Sequence, residues 1–199
     1  MNRKIGAIVA AAGLSSRMGA FKPLLPFEGA TVIERCLANL RGAGASELVV
    51  VTGHRASELE ALLRGSGVTL VHNPRYAETQ MFDSICLGLR ALPEDCETIL
   101  LTPGDVPLVK PETIRALLSE RGGFVCPTCG GRRGHPAALD AAWRDALLRC
   151  GGEGGLRGAV AALGIPVTEV AVDDVGMLLD LDTPEDYQSA LDLLTQEQK

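Results

Sequence analysis

The sequence is poor in aromatic residues and has no long apolar run. Aromatic residues make up 4% of its 199 positions, although 46% are hydrophobic. No uninterrupted apolar segment reaches the roughly 18 residues that a membrane-spanning helix needs. Residues 1–3 lead straight into a strand pattern instead of a signal peptide. These absences predict a cytoplasmic protein with no membrane partner.

Positive charge is neither abundant nor clustered. The chain has 19 Lys and Arg against 25 Asp and Glu, which gives a formal charge of −6. Non-specific binding to a polyanion needs clustered Lys and Arg, and the sequence has neither such a block nor basic residues interleaved with aromatic ones. We therefore expect no nucleic-acid partner.

The cysteines follow no disulfide framework. Their scatter over helix-like and strand-like segments is typical of reduced thiols in a cytoplasmic core, so no disulfides are expected. The six positions are Cys36, Cys86, Cys96, Cys126, Cys129 and Cys150. Cys126 and Cys129 form a C-x-x-C pair with His135 downstream. A structural zinc site needs four ligands, and Cys150 is the one candidate for the fourth, so zinc is disfavoured.

The two commonest phosphate-binding motifs are missing from the segment that otherwise carries most information. Residues 8–26 read I-V-A-A-A-G-L-S-S-R-M-G-A-F-K-P-L-L-P, an apolar strand followed by a glycine-punctuated loop. Neither G-x-x-x-x-G-K-[ST] nor G-x-G-x-x-G is present between Gly13 and Lys22. A P-loop ATPase and a dinucleotide oxidoreductase are therefore disfavoured.

What this loop does contain fits a triphosphate. Gly13 and Gly19 permit positive φ, while Arg17 and Lys22 supply charge that a backbone cannot. Consecutive backbone N–H groups can point at anionic oxygens, those of Ala12, Gly13, Leu14 and Ser15. The loop therefore predicts a nucleotide ligand, and a surface loop with two solvated cations is the alternative.

Alternating strand and helix patterns predict an α/β fold. The strand patterns of the first half lie at 5–11, 47–52, 68–71 and 98–101, and the helix patterns between them lie at 31–41, 56–64 and 82–92. The second half has helix patterns at 111–120, 141–149, 156–163 and 184–194 and a strand pattern at 167–172. This alternation predicts a mainly parallel central sheet between two helical layers, with 1–199 as a single domain.

Polar residues follow the ends of several predicted strands. The carboxyl ends of parallel strands meet at one edge of a sheet, so the Gly13 loop, Gly53, Asn73 and the Gly104–Asp105 pair should converge there. Asp105, next to a glycine that lets a ligand approach, suits a hard cation such as Mg²⁺, which takes few protein ligands. The alternative is an Asx-turn before Pro107.

A second acidic cluster stands near the end of the chain, in L-L-D-L-D-T-P-E-D-Y. Asp180 and Asp182 are two positions apart and face the same side of an extended segment. Capping of the helix that follows accounts for Thr183 and Glu185. It accounts poorly for Asp180, which is therefore a candidate ligand.

With these segments together, the chain resembles the molybdenum-cofactor nucleotidyltransferases, the MobA/MocA-like branch of the nucleoside-triphosphate transferase superfamily. The likeness runs nearly end to end. The matching motifs are A-A-G-L-S-S-R-M-G-x-x-K-x-L-L-P at 11–26, T-G-H at 52–54, N-P at 73–74, G-D-V-P at 104–107, R-G-H-P at 133–136 and D-L-D-T-P-E-D-Y at 180–187. The first and last are specific, whereas T-G-H and N-P are weak alone.

The resemblance implies the Rossmann-like fold of nucleotide-diphospho-sugar transferases and an Mg²⁺-dependent transfer of NMP from an NTP. Ala12 stands where guanylyl members usually have glycine, which favours CTP over GTP. The implied acceptor is a phosphorylated pterin, molybdopterin, and a molybdoenzyme that receives the cofactor is a further implied partner. An acceptor phosphate is already ionised at neutral pH, so no general base or covalent nucleophile is needed.

The resemblance also implies roles for individual residues. The implied nucleotide-binding residues are Ala11, Ala12, Gly13, Leu14, Ser15, Arg17, Lys22, Gly53, Asn73, Ser84 and Gly104. The implied catalytic residues are Arg17, Lys22 and Asp105, and the implied metal ligands are Asp105, Asp180 and Asp182. His135, Arg157 and Asp180 are implied on the acceptor side. For His135, packing against the sheet is the alternative.

Three departures from the family pattern lie toward the acceptor. The chain has Val106 after Asp105, Gln80 before Met81, and G-E-G-G-L-R at 152–157 where cytidylyl members usually carry G-D-x-G-A-R. This Gly-rich segment is open to three interpretations: a second phosphate loop, a lid or a plain linker. Another acceptor, such as a sugar phosphate, thus stays open, as does a non-catalytic nucleotide sensor or a chaperone that delivers cofactor.

Overall fold

The computed structural model describes residues 3–15 and 17–197. Met1, Asn2 and Ser16, which belong to sequence patterns discussed above, lie outside the described residues. The strands are β1 (Ile5–Ala11), β2 (Pro26–Phe27), β3 (Ala30–Thr31), β4 (Glu47–Thr52), β5 (Thr69–His72), β6 (Thr98–Pro103), β7 (Phe124–Cys129), β8 (Arg132–Arg133), β9 (Ala137–Asp140) and β10 (Val167–Ala171). The α-helices are α1 (Val32–Gly42), α2 (Ala56–Leu63), α3 (Met81–Ala91), α4 (Pro111–Ser119), α5 (Arg144–Arg149), α6 (Gly155–Ala162) and α7 (Pro184–Glu197).

One eight-stranded sheet forms the centre of the fold. Its order is β10-β7-β9-β6-β1-β4-β5, with β8 attached to β7. The pairs β6/β1, β1/β4, β4/β5 and β10/β7 are parallel, whereas β9 runs antiparallel to both of its neighbours. The prediction of a mainly parallel sheet is confirmed. Because this sheet joins strands from both halves of the chain, it supports one domain over 1–199, which stays a prediction.

Helices cover both faces of the sheet. Side chains of a strand alternate between faces, so Val9 of β1 packs with α1, α2 and α4, whereas Ile8 packs with α3, α5 and α6. Both residues are fully buried. The three layers predicted from the sequence are therefore present, with helices of successive βα units distributed over the two faces.

The sequence analysis missed the short strands of the second half. β9 has four residues and an alanine-rich sequence, so neither its period nor its length distinguishes it from a loop. Its strand character comes from pairing with both β6 and β7. The helix predicted at 141–149 is also divided, into a 3₁₀ turn at Ala141–Trp143 and α5.

The last helix packs beside the first. A separate apolar cluster joins Leu181, Ala190 and Leu194 to Val32 and Cys36 of α1. α7 begins after Thr183, whose hydroxyl accepts a hydrogen bond from the backbone N–H of Asp186. The Asp186 carboxylate in turn accepts from the N–H of Thr183, so Thr183 and Asp186 form a reciprocal cap. None of the helices in the described part of the chain has the length and apolar content needed to cross a bilayer.

The contact between α3 and β1 generates a prediction about stability. A Cβ added to Gly88 of α3 would lie 2.5 Å from Cγ2 of Ile8. Overpacking of a core costs about 1–3 kcal/mol, which outweighs the roughly 1 kcal/mol that alanine gains over glycine in a helix. We therefore expect Gly88→Ala to lower the free energy of unfolding by about 1–2 kcal/mol in urea titrations followed by circular dichroism.

Gly42→Ala is the matched control. Gly42 is exposed at the end of α1, and its added Cβ would meet Pro111 at an ordinary 3.5 Å. This variant should stay within about 0.5 kcal/mol of the wild type or exceed it. A Gly88→Ala protein as stable as Gly42→Ala would contradict the close packing of α3 on β1.

Candidate active site

A cavity of about 350 Å³ opens at the carboxyl ends of β1 and β6. It lies where the sequence predicted that polar strand ends would converge. The sequence-predicted residues that line it are Ala11, Ala12, Gly13, Ser15, Arg17, Lys22, Ser84, Gly104, Asp105, His135, Asp180 and Asp182. Four other predicted residues, Leu14, Gly53, Asn73 and Arg157, are not among its lining residues.

Lys22 is the centre of the charged side of this cavity. Its ammonium nitrogen donates to Oδ2 of Asp105 at 2.9 Å and to Oδ1 of Asp182 at 2.6 Å. The residue is 9% exposed, so its charge is largely removed from water and depends on these two partners. Burial by itself would lower the pKa of Lys22, but the hydrogen bonds to Asp182 and Asp105 outweigh it, and the pKa is raised. Lys22 is therefore fully charged at neutral pH.

Arg17 provides the second cation. Its guanidinium contacts Oδ2 of Asp182 at 2.9 Å, while 70% of its side chain is exposed. Asp182 thus holds Lys22 with one oxygen and Arg17 with the other. The hydrogen bond from Lys22 is the largest cause of the lowered pKa of Asp182. One cation of the cavity is therefore buried, and the other is largely exposed.

In the loop after β1, the sequence analysis allowed a positive φ at Gly13 and Gly19. Gly19 has a φ of 68°, as expected. The other positive φ among the described loop residues belongs to Ser15, at 53°, and not to Gly13. Ser15 Oγ accepts a hydrogen bond from the backbone N–H of Lys22 at 3.3 Å, which ties the two ends of the loop together. A Cβ added to Gly13 would meet nothing within 4 Å, because this residue faces open space.

Gly53 and Asn73 do not line the cavity, but they pack against or bond to residues that do. A Cβ added to Gly53 would lie 2.6 Å from Cβ of Tyr76 and 2.7 Å from the carbonyl oxygen of Ala12, so the residue after β4 must be glycine for the loop to pack there. Asn73 is buried and donates to Thr79 Oγ1 at 3.0 Å and to Ser84 Oγ at 3.2 Å. These bonds fix the segment between β5 and α3 along one side of the cavity.

The sequence analysis missed four residues of that segment. Tyr76, Thr79, Gln80 and Met81 all line the cavity. The N-P motif before them indicates a turn but says nothing about which later side chains face inward. The one signal available in the sequence was Gln80, which the sequence analysis noted as a departure from the family pattern.

Asp180 and His135 both line the cavity, and their charges interact. Burial lowers the pKa of His135 despite the nearby carboxylates of Asp180 and Asp105. Burial also raises the pKa of Asp180, and the charges of Asp105 and Asp182 add to this effect. The Asp180 carboxylate has no hydrogen bond to any residue that the structure describes. It is an exposed acceptor that lines the cavity without a cation of its own among the described residues.

A second, larger cavity of about 590 Å³ adjoins the first. It shares Met81, Pro103 and His135 with the first cavity and contains both Arg133 and Arg157. Its remaining walls are mostly apolar, formed by Ile85, Leu101, Phe124, Leu156, Val160 and Ile165 among others. Arg157 therefore belongs to a neighbouring pocket that meets the charged cavity at His135.

The carboxylates provide a pair of candidate metal ligands. Within residues 3–15 and 17–197, no three or more His, Cys, Asp and Glu side chains are arranged so that they could hold a metal ion. Asp105 and Asp182 nevertheless converge on a single cation, the Lys22 ammonium, within 2.9 Å. Two carboxylates are compatible with Mg²⁺, because this ion completes its octahedron with water and phosphate oxygens.

Known proteins are similar to this chain in sequence and in architecture. The family described as MobA-like NTP transferase domain matches residues 7–167. A curated relative, the molybdenum cofactor cytidylyltransferase of Escherichia coli (strain K12), is 31% identical over 194 residues, which cover 96% of this chain and 98% of that protein.

Solved structures agree with the sequence comparison. A nucleotidyl transferase from Methanothermobacter has a TM-score of 0.85 at 30% identity and covers 98% of this chain and 100% of its own. A structure of Rv0371C from Mycobacterium tuberculosis H37Rv in complex with manganese has a TM-score of 0.77 at 28% identity, with 96% and 100% covered. The nucleotide-diphospho-sugar transferase fold implied by the sequence is therefore confirmed.

The cationic loop, the paired carboxylates beneath it and the end-to-end likeness to these proteins lead to one conclusion. The chain belongs to the MobA-like NTP transferase family and is a nucleotidyltransferase.

Proposed function

We propose that this protein transfers CMP from CTP to the phosphate group of a pterin, the molybdenum cofactor or its metal-free form, with release of pyrophosphate and with Mg²⁺ as cofactor. The proposal takes 1–199 as one functional domain acting in the cytoplasm. It includes a molybdoenzyme as the partner that receives the product.

The observation that carries the proposal is the arrangement of Lys22 between Asp105 and Asp182, with Arg17 at the cavity mouth. A triphosphate carries several negative charges, and two cations at a glycine-containing loop provide the charge and the backbone donors to bind it. Separating Lys22 from its two carboxylates costs little free energy when phosphate oxygens take the place of those carboxylates. The site is therefore suited to exchange its internal ion pairs for a ligand.

The donor atoms beneath the loop support a divalent cation. Asp105 and Asp182 would hold it, and Asp180, which has no cation of its own in the described structure, provides a further oxygen nearby. When bound, Mg²⁺ would neutralise the charge that develops on the phosphates. The manganese complex of Rv0371C supports a divalent cation in this family.

The chain's own residues account for the remaining chemistry. The attacking group is an ionised phosphate oxygen of the acceptor, so the step requires orientation and charge neutralisation and no proton removal. Lys22 and Arg17 would orient the triphosphate. His135, uncharged because burial lowers its pKa, would donate one N–H to the acceptor from the junction of the two cavities.

The choice of both substrates rests on the relative that this chain resembles along nearly its whole length. That protein is named a molybdenum cofactor cytidylyltransferase, which supports CTP as donor and the pterin as acceptor. The neighbouring cavity supports the same acceptor, because its apolar walls fit a ring system and Arg133 and Arg157 fit an anionic group.

The substrate assignment has a direct test. Pyrophosphate release should occur with CTP and molybdopterin in the presence of Mg²⁺, should be lower with GTP, ATP and UTP, and should stop without the pterin. Addition of EDTA should abolish it, and excess Mg²⁺ or Mn²⁺ should restore it. Turnover of CTP with a sugar phosphate in place of the pterin would reassign the acceptor, and nucleotide binding without turnover would indicate a sensor.

The ion pairs of the charged cavity generate a second prediction. Lys22→Ala and Asp105→Ala should each lower kcat by at least about 10²-fold, because each removes a charge that acts on the reacting phosphates. Steady-state kinetics and circular dichroism measure the loss and the integrity of the fold.

Lys4 provides the control for this experiment. It also joins two carboxylates, Glu47 at 3.0 Å and Asp95 at 2.9 Å, but it does so away from the cavity and is about one-third exposed. Lys4→Ala should leave kcat unchanged. If the Lys22→Ala enzyme were as active as Lys4→Ala, the proposed role of Lys22 would be wrong.

The position of Arg157 allows acceptor binding to be tested separately from nucleotide binding. Because it lines the apolar cavity and not the charged one, Arg157→Ala should raise KM for the acceptor by about 10-fold or more while KM for CTP stays the same. Equal changes in both constants would show that Arg157 does not distinguish the two substrates.

A further inference from the structure

Two loops carry the carboxylates of the charged cavity, and neither is part of the sheet. Asp105 lies between β6 and α4, and Asp180 and Asp182 lie between β10 and α7. A small, hard cation requires ligand oxygens at about 2.0–2.1 Å, so the distance between these loops must be fixed closely. Something in the structure has to hold one loop against the other.

Asp174 makes that connection. It is 2% exposed, and its Oδ2 accepts hydrogen bonds from the backbone N–H of Lys110 at 2.9 Å and from the hydroxyl of Thr113 at 2.6 Å. Its Oδ1 accepts from the N–H of Gly176 at 3.1 Å. One buried carboxylate thus joins the start of the Asp180 segment to the end of the Asp105 segment.

Further contacts lie along the same seam, which is the boundary between the Asp105 segment and the Asp180 segment. Gly176 lies so close to the Leu108 carbonyl that an added Cβ would collide with it. Past this contact, the N–H of Leu181 donates to the carbonyl oxygen of Asp105 at 3.1 Å. The seam therefore runs from Asp174 directly to the backbone of the two segments whose carboxylates face the cavity.

We propose that Asp174 is a positioning residue for the divalent cation: it sets the separation of the Asp105 loop from the Asp180–Asp182 segment, and so the affinity of the site for the metal. This inference rests on the proposed function, because it requires a metal bound by these carboxylates. Asp174 itself does not line the cavity.

A simple capping role would have different consequences, and Asp140 provides the comparison. Both Asp174 and Asp140 cap a short 3₁₀ helix, through Gly176 N–H and Ala142 N–H respectively. Asp140 lies far from the charged cavity and makes no side-chain bond to a second segment among the described residues. Loss of a cap alone should therefore have the same effect at both positions.

The experiment measures Mn²⁺ binding to the full chain by electron paramagnetic resonance of the free ion, with an α,β-methylene analogue of CTP present. Asp174→Asn should weaken Mn²⁺ binding by about 10-fold or more, as expected when a group that orients metal ligands is lost. Asp140→Asn should bind Mn²⁺ as the wild type does. Thermal unfolding shows whether each variant is folded at the temperature used.

A second variant covers the case in which Asp174→Asn does not fold. Thr113→Val keeps the shape of the residue and removes one donor to Asp174, so it should weaken Mn²⁺ binding in the same direction by a smaller factor. Mn²⁺ affinities of both variants equal to that of Asp140→Asn would overturn the inference, whatever their stability.

Asp105→Asn separates this inference from the proposed function. A wild type that binds no Mn²⁺, or an Asp105→Asn protein with full affinity, would overturn the proposed metal site and the inference with it. Loss of binding in Asp105→Asn together with normal binding in Asp174→Asn would leave the proposed function standing and would overturn the positioning role alone.

Discussion

The ammonium group of Lys22, held between Asp105 and Asp182, is the interaction on which the site depends. Its partners are 83 and 160 residues away in the chain, so it joins the loop after β1 to the two segments that carry the carboxylates. A largely buried charge is stable only while its partners stay in place, and breaking such a pair by removing one partner costs about 3–5 kcal/mol. The three segments are therefore held as a unit before any ligand binds.

The same ion pairs prepare the site for its substrate. In the described structure Lys22 and Arg17 are each paired with a carboxylate, Asp182 is shared by both cations, and Asp180 has no cation of its own. On the proposed function, a triphosphate that arrives with a divalent cation would exchange these partners: phosphate oxygens would pair with Lys22 and Arg17, and the carboxylates would hold the metal. Both cations would then keep anionic partners after the exchange.

The sequence was informative where a short segment determines its own structure. The strand at 5–11, the loop with Arg17 and Lys22, and Asp105 after β6 were all predicted, because apolar runs, glycine spacing and strand ends are local signals. Two features were not predictable in this way. The reversal of β9 arises from its pairing with β6 and β7, and the bonds of Asn73 to Thr79 and Ser84 depend on how β5 and α3 are packed. The contacts of Asp174 were unpredictable for the same reason. Its partners, Lys110 and Thr113, are about 60 residues away in the chain, and a sequence pattern carries no information on contacts over that distance.

The contrast between the two cavities bears on specificity. The charged cavity is lined by backbone and by cationic and carboxylate side chains. On the proposed function these groups would bind the phosphates and their metal ion, which are common to all nucleoside triphosphates. The adjoining cavity is mostly apolar with two arginines, and it meets the first at His135. On the proposed function the reacting oxygen of the acceptor must enter the charged cavity past His135 while the rest of the acceptor stays behind. Selection between acceptors would then depend on the apolar walls and on Arg157, whereas the chemistry depends on Lys22 and its carboxylates. With roles divided in this way, the segment at 152–157 would be able to depart from the usual family sequence without disturbing the loop after β1.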